Sequence, residues 1–225
     1  MQKTIEVLYD DDCLVVFNKP SGLLVIPSPK KEKTTLTSIV NDSGQETKGK
    51  WHPCHRLDRD ASGLIIFAKG KKRQQLMMRE FKENAVEKKY IAFVRGQLEK
   101  KTGEIAKGIK DFHQNKFARH SMPKKAVTRY RVLKQSEDFS VVEVQPVTGR
   151  TNQIRIHFSD IGHPLLGECV YAFRKDFKVN FRRLALHALS LTWQHPELKK
   201  KIEVSSLLPE DMKKFLKSHS LKITI

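Results

Sequence analysis

The chain has 225 residues, of which 39% are hydrophobic and 30% charged, and this length can bury a core without disulfides or metals. Lysine and arginine total 43 against 25 acidic residues, and the net charge of +18 predicts a polyanionic partner such as RNA or DNA. The 3 dispersed cysteines exclude a disulfide framework, no apolar run is long enough for a membrane span, and the first residues lack the pattern of a signal peptide, so we expect a cytoplasmic protein.

Short runs rich in valine, isoleucine and phenylalanine predict β-strands. These runs lie at residues 14–17, 64–68, 90–94, 127–133, 140–144 and 186–193. Apolar residues at helical spacing predict helices at 72–82, 152–161 and 209–216, the second of them capped by Thr151. Many strands with few helices, and no regular strand–helix alternation, indicate an α+β fold with largely antiparallel sheet.

One long segment does not predict a strand or a helix. Residues 100–125 are basic and poor in apolar side chains. A structureless stretch of this length is either a substrate-contacting loop or a disordered insertion, and composition leaves both open.

Ionisable residues are concentrated at 54–63, directly before the strand predicted at 64–68. A polar loop that leads into a buried strand can hold a side chain rigidly. Asp58 lies between Arg56 and Arg59, and such cations keep a carboxylate ionised, as a nucleophile or base must be. The residues alone leave open a solvated charged turn with local ion pairs.

The same segment offers ligand-type residues in His52, Cys54 and His55. A fourth ligand at zinc-site spacing is missing, so we expect no metal site here. A catalytic pair of Cys54 with a histidine, as in a cysteine hydrolase, lacks any local signature.

A second polar segment, 148–157, lies at the start of a predicted helix and contains Arg150, Asn152, Gln153 and Arg155. Helix N-termini and arginines both bind phosphate, so this segment is a candidate RNA contact. The alternative is a capped helix whose basic residues are merely exposed.

Two further residues have an ordinary structural explanation. His157 falls on the apolar side of its helix, where a packed, hydrogen-bonded core histidine is expected. Tyr90 begins a predicted strand, where a half-buried core tyrosine is the usual outcome.

Taken in order, five stretches resemble the motifs of one family, the RluA-type RNA pseudouridine synthases. The resemblance runs from about Tyr9 to Leu216. Its motifs are NKPSG (18–22), HRLDRDASGL (55–64), EKKY (87–90), GRTNQIRIH (149–157) with GHPLLG (162–167), and RLALHA (183–188). The chain departs from the family at Ala61, where threonine is usual, and at Asn152, where histidine is usual; asparagine can still donate and accept hydrogen bonds.

The resemblance implies a single catalytic domain over residues 1–225, without a separate S4 domain. Its fold would be a mixed, mainly antiparallel sheet with flanking helices and a central catalytic cleft. The family converts uridine in RNA to pseudouridine without cofactor or metal, after flipping the target base into a pocket. By resemblance, Asp58 is the nucleophile, Arg155 pairs with it, and Tyr90 stacks on the detached uracil.

The expected partner is ribosomal or transfer RNA, bound by a monomer. The residues expected to contact substrate are Lys19, Arg56, Lys124, Lys125, Arg150, Asn152 and Gln153. A non-catalytic RNA-binding protein on the same scaffold is the alternative, and replacement of Asp58 would have been its mark. Asp58 is present.

Overall fold

The computed structural model describes residues 5–29, 32–42, 50–110, 122–172 and 178–223. In chain order its elements are β1 (Glu6–Asp10), β2 (Leu14–Lys19), α1 (Leu36–Asp42), β3 (Trp51–Pro53), β4 (Ser62–Lys69), α2 (Lys71–Lys82), β5 (Glu87–Arg95), β6 (Thr102–Ala106), β7 (Val127–Gln135), β8 (Phe139–Pro146), α3 (Gln153–Asp160), β9 (Leu186–Gln194), β10 (Lys201–Ser205) and α4 (Glu210–Ser218). They form two compact units, Met1–Lys88 with His187–Pro209, and Lys89–Leu186 with Glu210–Ile225.

The first unit is built on the strand order β1-β2-β4-β9, with β3 paired to β4 and β10 paired to β9. The β4–β9 pair is parallel and the other pairs are antiparallel, so the sheet is mixed. All eight residues of β4 are buried because both of its faces are covered. Helix α2 packs on β4 and contributes Met77 to a core that includes Leu64, Ile66 and Trp193.

The second unit is antiparallel, in the order β5-β8-β7-β6. Helix α3 packs against β7 and β8. Helix α4 inserts Phe215 among the rings of Phe93, Phe139 and Phe181, with centroid separations of 5.1 to 5.5 Å. This aromatic cluster ties the last helix to strands that lie far earlier in the chain.

The structure confirms the α+β class, the mixed and mainly antiparallel sheet, the six expected strands and the three expected helices. The expectation of a continuous loop at 100–125 is wrong where β6 forms; residues 111–121 lie outside the described residues. Strand β6 buries only Ile105, so it carries little hydrophobic signal. Among the described residues no helix is long and apolar enough to cross a bilayer.

Thr151 is not the cap of α3. The capping position is Asn152, which has φ 54 in the left-handed region and makes no side-chain capping bond. The helix therefore begins at Gln153, one residue later than its periodicity suggests. Asparagine tolerates this backbone conformation better than most residues.

Candidate active site

Asp58 lies in the first unit, in the loop that joins β3 to β4. Its side chain is half-buried, whereas Leu57 and Ala61 beside it are buried and fix the loop to the protein interior. The Ala61 amide donates to the Asp58 carbonyl at 3.3 Å, which closes a tight turn around the carboxylate-bearing residue. The alanine that replaces the family's usual threonine is thus packed inside, and the loop is intact.

Lys19 supports this loop from beneath. It is fully buried at the end of β2, and its ammonium donates to the carbonyl oxygens of Pro20 (3.0 Å), Leu23 (2.8 Å) and Arg59 (3.0 Å). A buried ammonium is tolerable only when such acceptors replace its water. Its burial among carbonyls makes Lys19 a support for the residue next to Asp58, and its expected contact with substrate stays a prediction.

The 20–22 turn is further joined to the Asp58 loop. The Gly22 amide donates to the Arg59 carbonyl at 2.9 Å, and the Ser21 hydroxyl donates to the Asp60 carbonyl at 2.7 Å. The Arg59 Nε donates back to the Gly22 carbonyl at 3.3 Å. Segments some forty residues apart therefore form one cross-linked platform, as separate motifs of a single site would require.

A buried polar network secures the far end of the loop. Ser62 Oγ lies 2.9 Å from His187 Nδ1, and His187 Nε2 lies 2.9 Å from Ser206 Oγ. Both imidazole nitrogens thus have a hydroxyl partner, at the point where β4 and β9 pair in parallel. Sequence reasoning did not identify this network, because Ser62 and His187 are 125 positions apart.

The residues considered for zinc are engaged in other ways. His55 Nε2 accepts a hydrogen bond from the Ile66 amide at 3.0 Å, which uses the lone pair that a metal would need. Burial lowers the pKa of His55 to about 3, and the Lys88 ammonium adds to this, so the ring is neutral. Burial also raises the pKa of the Cys54 thiol to about 12. The His55 ring and the Cys54 thiol are therefore poorly suited to bind a metal, and the expectation that no metal binds at these residues stays a prediction.

Ligand-type atoms of Asp11, Cys13 and His195 lie within 4.8 Å of one another in the first unit. However, His195 Nδ1 accepts from the amides of Glu197 (3.2 Å) and Leu198 (2.9 Å), so the ring proton of the neutral form lies on Nε2. Nε2 faces Asp11 Oδ2 at 2.9 Å. A metal bound here would have to displace the Nε2 proton that faces Asp11, and the close contact of His195 with Asp11 accounts for this cluster without a metal.

The polar segment before α3 lies in the second unit, and Gln153 organises it. Its Oε1 accepts from Thr148 Oγ1 (2.7 Å) and the Arg150 amide (3.0 Å). Its Nε2 donates to the Val127 carbonyl and to Thr128 Oγ1, both at 2.9 Å. The side chain is buried and every hydrogen-bonding position of the amide is used. Gln153 therefore supports the loop, and its expected contact with substrate stays a prediction.

Arg155 forms a bidentate ion pair with Glu168. Its Nε donates to Glu168 Oε2 at 2.7 Å and its Nη2 donates to Oε1 at 2.8 Å. The Arg155 side chain is 13% exposed and that of Glu168 is 0% exposed. Burial by itself would raise the pKa of Glu168, but the hydrogen bond from Arg155, two backbone amides and the charge of Arg155 lower it overall.

Asn152 joins the same network. Its Oδ1 accepts from Arg155 Nη1 at 3.0 Å, and its Nδ2 donates to the Tyr171 hydroxyl at 2.9 Å. The amide therefore supplies one acceptor and one donor, as a neutral imidazole could, and the loop keeps its structure with asparagine at this position.

The remaining candidates are distributed over both units. Arg56 is exposed in the first unit; Arg150, Lys124 and Lys125 are exposed in the second, where Arg150 Nε donates to the Lys125 carbonyl at 3.1 Å. Tyr90 is buried in β5. Because Asp58 belongs to the first unit and Tyr90 and Arg155 to the second, the expected pairing of Asp58 with Arg155 stays a prediction.

His157 is a core residue, as expected. It is fully buried, with Nδ1 2.9 Å from Thr128 Oγ1 and Nε2 3.0 Å from the Lys107 carbonyl. Burial lowers its pKa on balance, which favours the neutral ring.

Comparisons with known proteins agree with the motifs. Residues 13–160 match a family model described as RNA pseudouridylate synthase. The chain is 35% identical over 225 residues to tRNA pseudouridine synthase C of Haemophilus ducreyi, covering 92% of each chain. It is 37% identical over 202 residues to the dual-specificity RNA pseudouridine synthase RluA of Haemophilus influenzae, covering 87% of this chain and 90% of that one. Among solved structures, human RNA pseudouridylate synthase domain containing 4 superposes with a TM-score of 0.81 at 25% identity, covering 97% of this chain and 94% of that one.

Proposed function

The chain belongs to the RNA pseudouridylate synthase family and is an isomerase, and we propose that it converts specific uridines of ribosomal or transfer RNA to pseudouridine with Asp58 as the nucleophile. The observation that carries the assignment to Asp58 is its loop. Lys19, Ser21 and Gly22 all bond to the two residues that follow Asp58. A catalytic carboxylate needs such a rigid support to meet one atom of the substrate.

In the proposed reaction, the bond from uracil nitrogen 1 to the ribose breaks and a bond from carbon 5 to the same ribose carbon forms. Carbon 5 loses a proton and nitrogen 1 gains one, so the atoms balance without a cofactor. Asp58 either attacks the anomeric carbon directly or acts through a transient sugar intermediate. Tyr90 stacks on the detached uracil and assists removal of the proton from carbon 5.

Arg155 is proposed to keep Asp58 ionised and oriented. A guanidinium beside a partly buried carboxylate opposes the effect of burial on its protonation. The planar, fixed donor set of arginine also sets the direction of the carboxylate, which an ammonium would not do.

RNA is proposed to bind through exposed cations of the catalytic domain. Arg150, Lys124 and Lys125 are linked in the second unit by the Arg150–Lys125 contact, and Arg56 is exposed two residues before Asp58. Exposed arginine and lysine can neutralise phosphates with little cost in desolvation. A single catalytic domain, a monomeric state and a cytoplasmic location stay predictions.

The proposed function is tested by release of tritium from RNA labelled at carbon 5 of uridine. We expect release from transfer RNA or ribosomal RNA transcripts in the presence of EDTA, because neither metal nor cofactor is required. The names of the relatives, one for transfer RNA and one for dual specificity, direct the choice of transcripts. RNA binding without release from either class would favour the alternative, a non-catalytic RNA-binding protein.

RNA affinity should fall steeply with salt, because each neutralised phosphate releases condensed counterions. With about four to eight contacts, raising salt from about 50 to 200 mM should weaken binding on the order of a hundred-fold or more. Reversing the charge of two exposed lysines, Lys124→Glu with Lys125→Glu, should weaken RNA binding and flatten its dependence on salt. Turnover at saturating RNA should stay nearly unchanged. Filter binding at several salt concentrations measures the slope.

The matched control reverses two exposed lysines of α4, Lys214→Glu with Lys217→Glu, which changes the net charge by the same amount in the same unit. An unchanged slope in the Lys124/Lys125 variant would place the RNA contacts elsewhere. An equal loss in both variants would show that net charge, and not a local contact, determines the affinity.

A further inference from the structure

The guanidinium of Arg155 is held on one edge by a buried carboxylate. Glu168 accepts hydrogen bonds from Arg155 Nε at 2.7 Å and from Arg155 Nη2 at 2.8 Å. Because the two bonds are parallel, the plane of the guanidinium is fixed as well as its position. No sequence pattern singled out Glu168, which lies 13 residues after Arg155 and follows the motif that ends at Gly167.

Glu168 is itself held by the backbone. Its Oε1 also accepts from the amides of Cys169 (3.0 Å), Val170 (2.8 Å) and Tyr171 (3.3 Å). The preceding residue, Gly167, has φ 77, and a Cβ there would lie 1.7 Å from the Arg183 carbonyl. The turn that carries Glu168 is therefore closely packed, so the carboxylate has a fixed position from which to orient Arg155.

A third bond holds the opposite terminal nitrogen. Arg155 Nη1 donates to Asn152 Oδ1 at 3.0 Å, and Asn152 Nδ2 donates to the Tyr171 hydroxyl at 2.9 Å. The Tyr171 ring also lies 5.1 Å from the guanidinium carbon, a distance suited to a cation–π contact. Tyr171 thus links the Glu168 turn to the start of α3.

We propose that Glu168 is a positioning residue for the reaction, which together with Asn152 fixes the Arg155 guanidinium in the orientation that the nucleophile needs. This inference rests on the proposed function, in which Arg155 orients Asp58. Glu168 and Asn152 together engage three N–H groups of Arg155, on Nε, Nη2 and Nη1. A guanidinium has five N–H groups, so it can donate to more than these two partners.

The pairing also sets the charge that reaches the nucleophile. An arginine paired with one buried carboxylate is partly neutralised, so it still favours the ionised form of a second carboxylate but attracts it less strongly than an isolated guanidinium would. A nucleophile must be ionised and yet available to attack, and a partly neutralised arginine satisfies both needs. Glu168 would thereby act on the chemical step and not on RNA binding.

The test is Glu168→Gln, which keeps the shape but removes the charge. We expect kcat to fall on the order of a hundred-fold, as for other small misplacements of a positioned group. The KM for RNA should change by less than about threefold, because the residue is buried and makes no phosphate contact. Glu168→Asp keeps the charge but is one methylene shorter, and it should restore part of kcat. Glu104→Gln, which removes the exposed partner of Arg129 in the same unit, is the control and should leave both constants unchanged.

Loss of a buried ion-pair partner can prevent folding. If Glu168→Gln does not fold, Asn152→Ala decides, because it leaves the Arg155–Glu168 pair intact and removes one charge-assisted bond. Its kcat should fall about tenfold at unchanged KM. The inference would be overturned if folded Glu168→Gln had the kcat of the wild type or changed only in KM. If Glu168→Gln does not fold, an unaltered kcat of Asn152→Ala would overturn it. Full activity of Asp58→Asn would instead overturn the proposed function.

Discussion

Asp58→Asn should abolish pseudouridine formation while RNA binding stays within a few-fold of the wild type. Asparagine keeps the size of the side chain but cannot act as the nucleophile, and loss of a nucleophile costs at least about a thousand-fold in rate. Tritium release from RNA labelled at carbon 5 measures the reaction, and filter binding measures the affinity.

The control for this variant lies two residues away. Asp60 is exposed in the same loop, and its backbone carbonyl, not its carboxylate, receives the bond from Ser21. Asp60→Asn should therefore keep most of the activity. Substantial turnover by Asp58→Asn would exclude Asp58 as the nucleophile, and an inactive Asp60→Asn would show that the assay responds to any loss of charge in this loop.

Gly63→Ala should strongly destabilise the first unit. Gly63 pairs with Ala188 where β4 and β9 run parallel, and a Cβ there would lie 2.2 Å from the Ala188 carbonyl oxygen. The residue also has φ 108, which is unfavourable for alanine. Strain and overpacking together should cost about 3–5 kcal/mol, a large part of the stability of a typical domain. Urea denaturation followed by tryptophan fluorescence measures the loss.

Gly149→Ala is the matched substitution, because a Cβ at Gly149 meets no atom within 4 Å. It should leave the free energy of unfolding nearly unchanged. Wild-type stability of Gly63→Ala would mean that β4 and β9 separate at low cost, contrary to the close approach of their backbones.

The sequence predicts those parts of the fold whose signal is local. Strands such as β2 and β4 contain continuous apolar runs that predict their presence, although both strands extend into polar residues beyond those runs. Strand β6 could not be predicted because it is at the edge of its sheet and buries one side chain. Helix α3 begins one residue later than the sequence predicts, because Asn152 adopts a left-handed conformation that the apolar periodicity does not reveal.

The candidate site also has features that the sequence predicts and features that it does not. Motif resemblance predicts Asp58, Tyr90 and Arg155 as catalytic residues, but it does not distinguish a substrate contact from a support. Lys19 and Gln153 are polar residues in conspicuous motifs, and only their burial and hydrogen bonds assign them to the loops. Glu168 lies just outside the matched motifs, so the motifs do not point to it. Its pairing with Arg155 is visible only in the structure.

The order of strands in the first unit has a consequence for synthesis on the ribosome. The first two residues of β4, Ser62 and Gly63, pair with β9, and β9 emerges only after the second unit's strands have been made. At translation rates of about 5–20 residues per second, β4 waits on the order of ten seconds for this partner. During that time the Ser62–Gly63 end of β4 is without its final neighbour, and an unpaired backbone edge of this kind can pair with other chains.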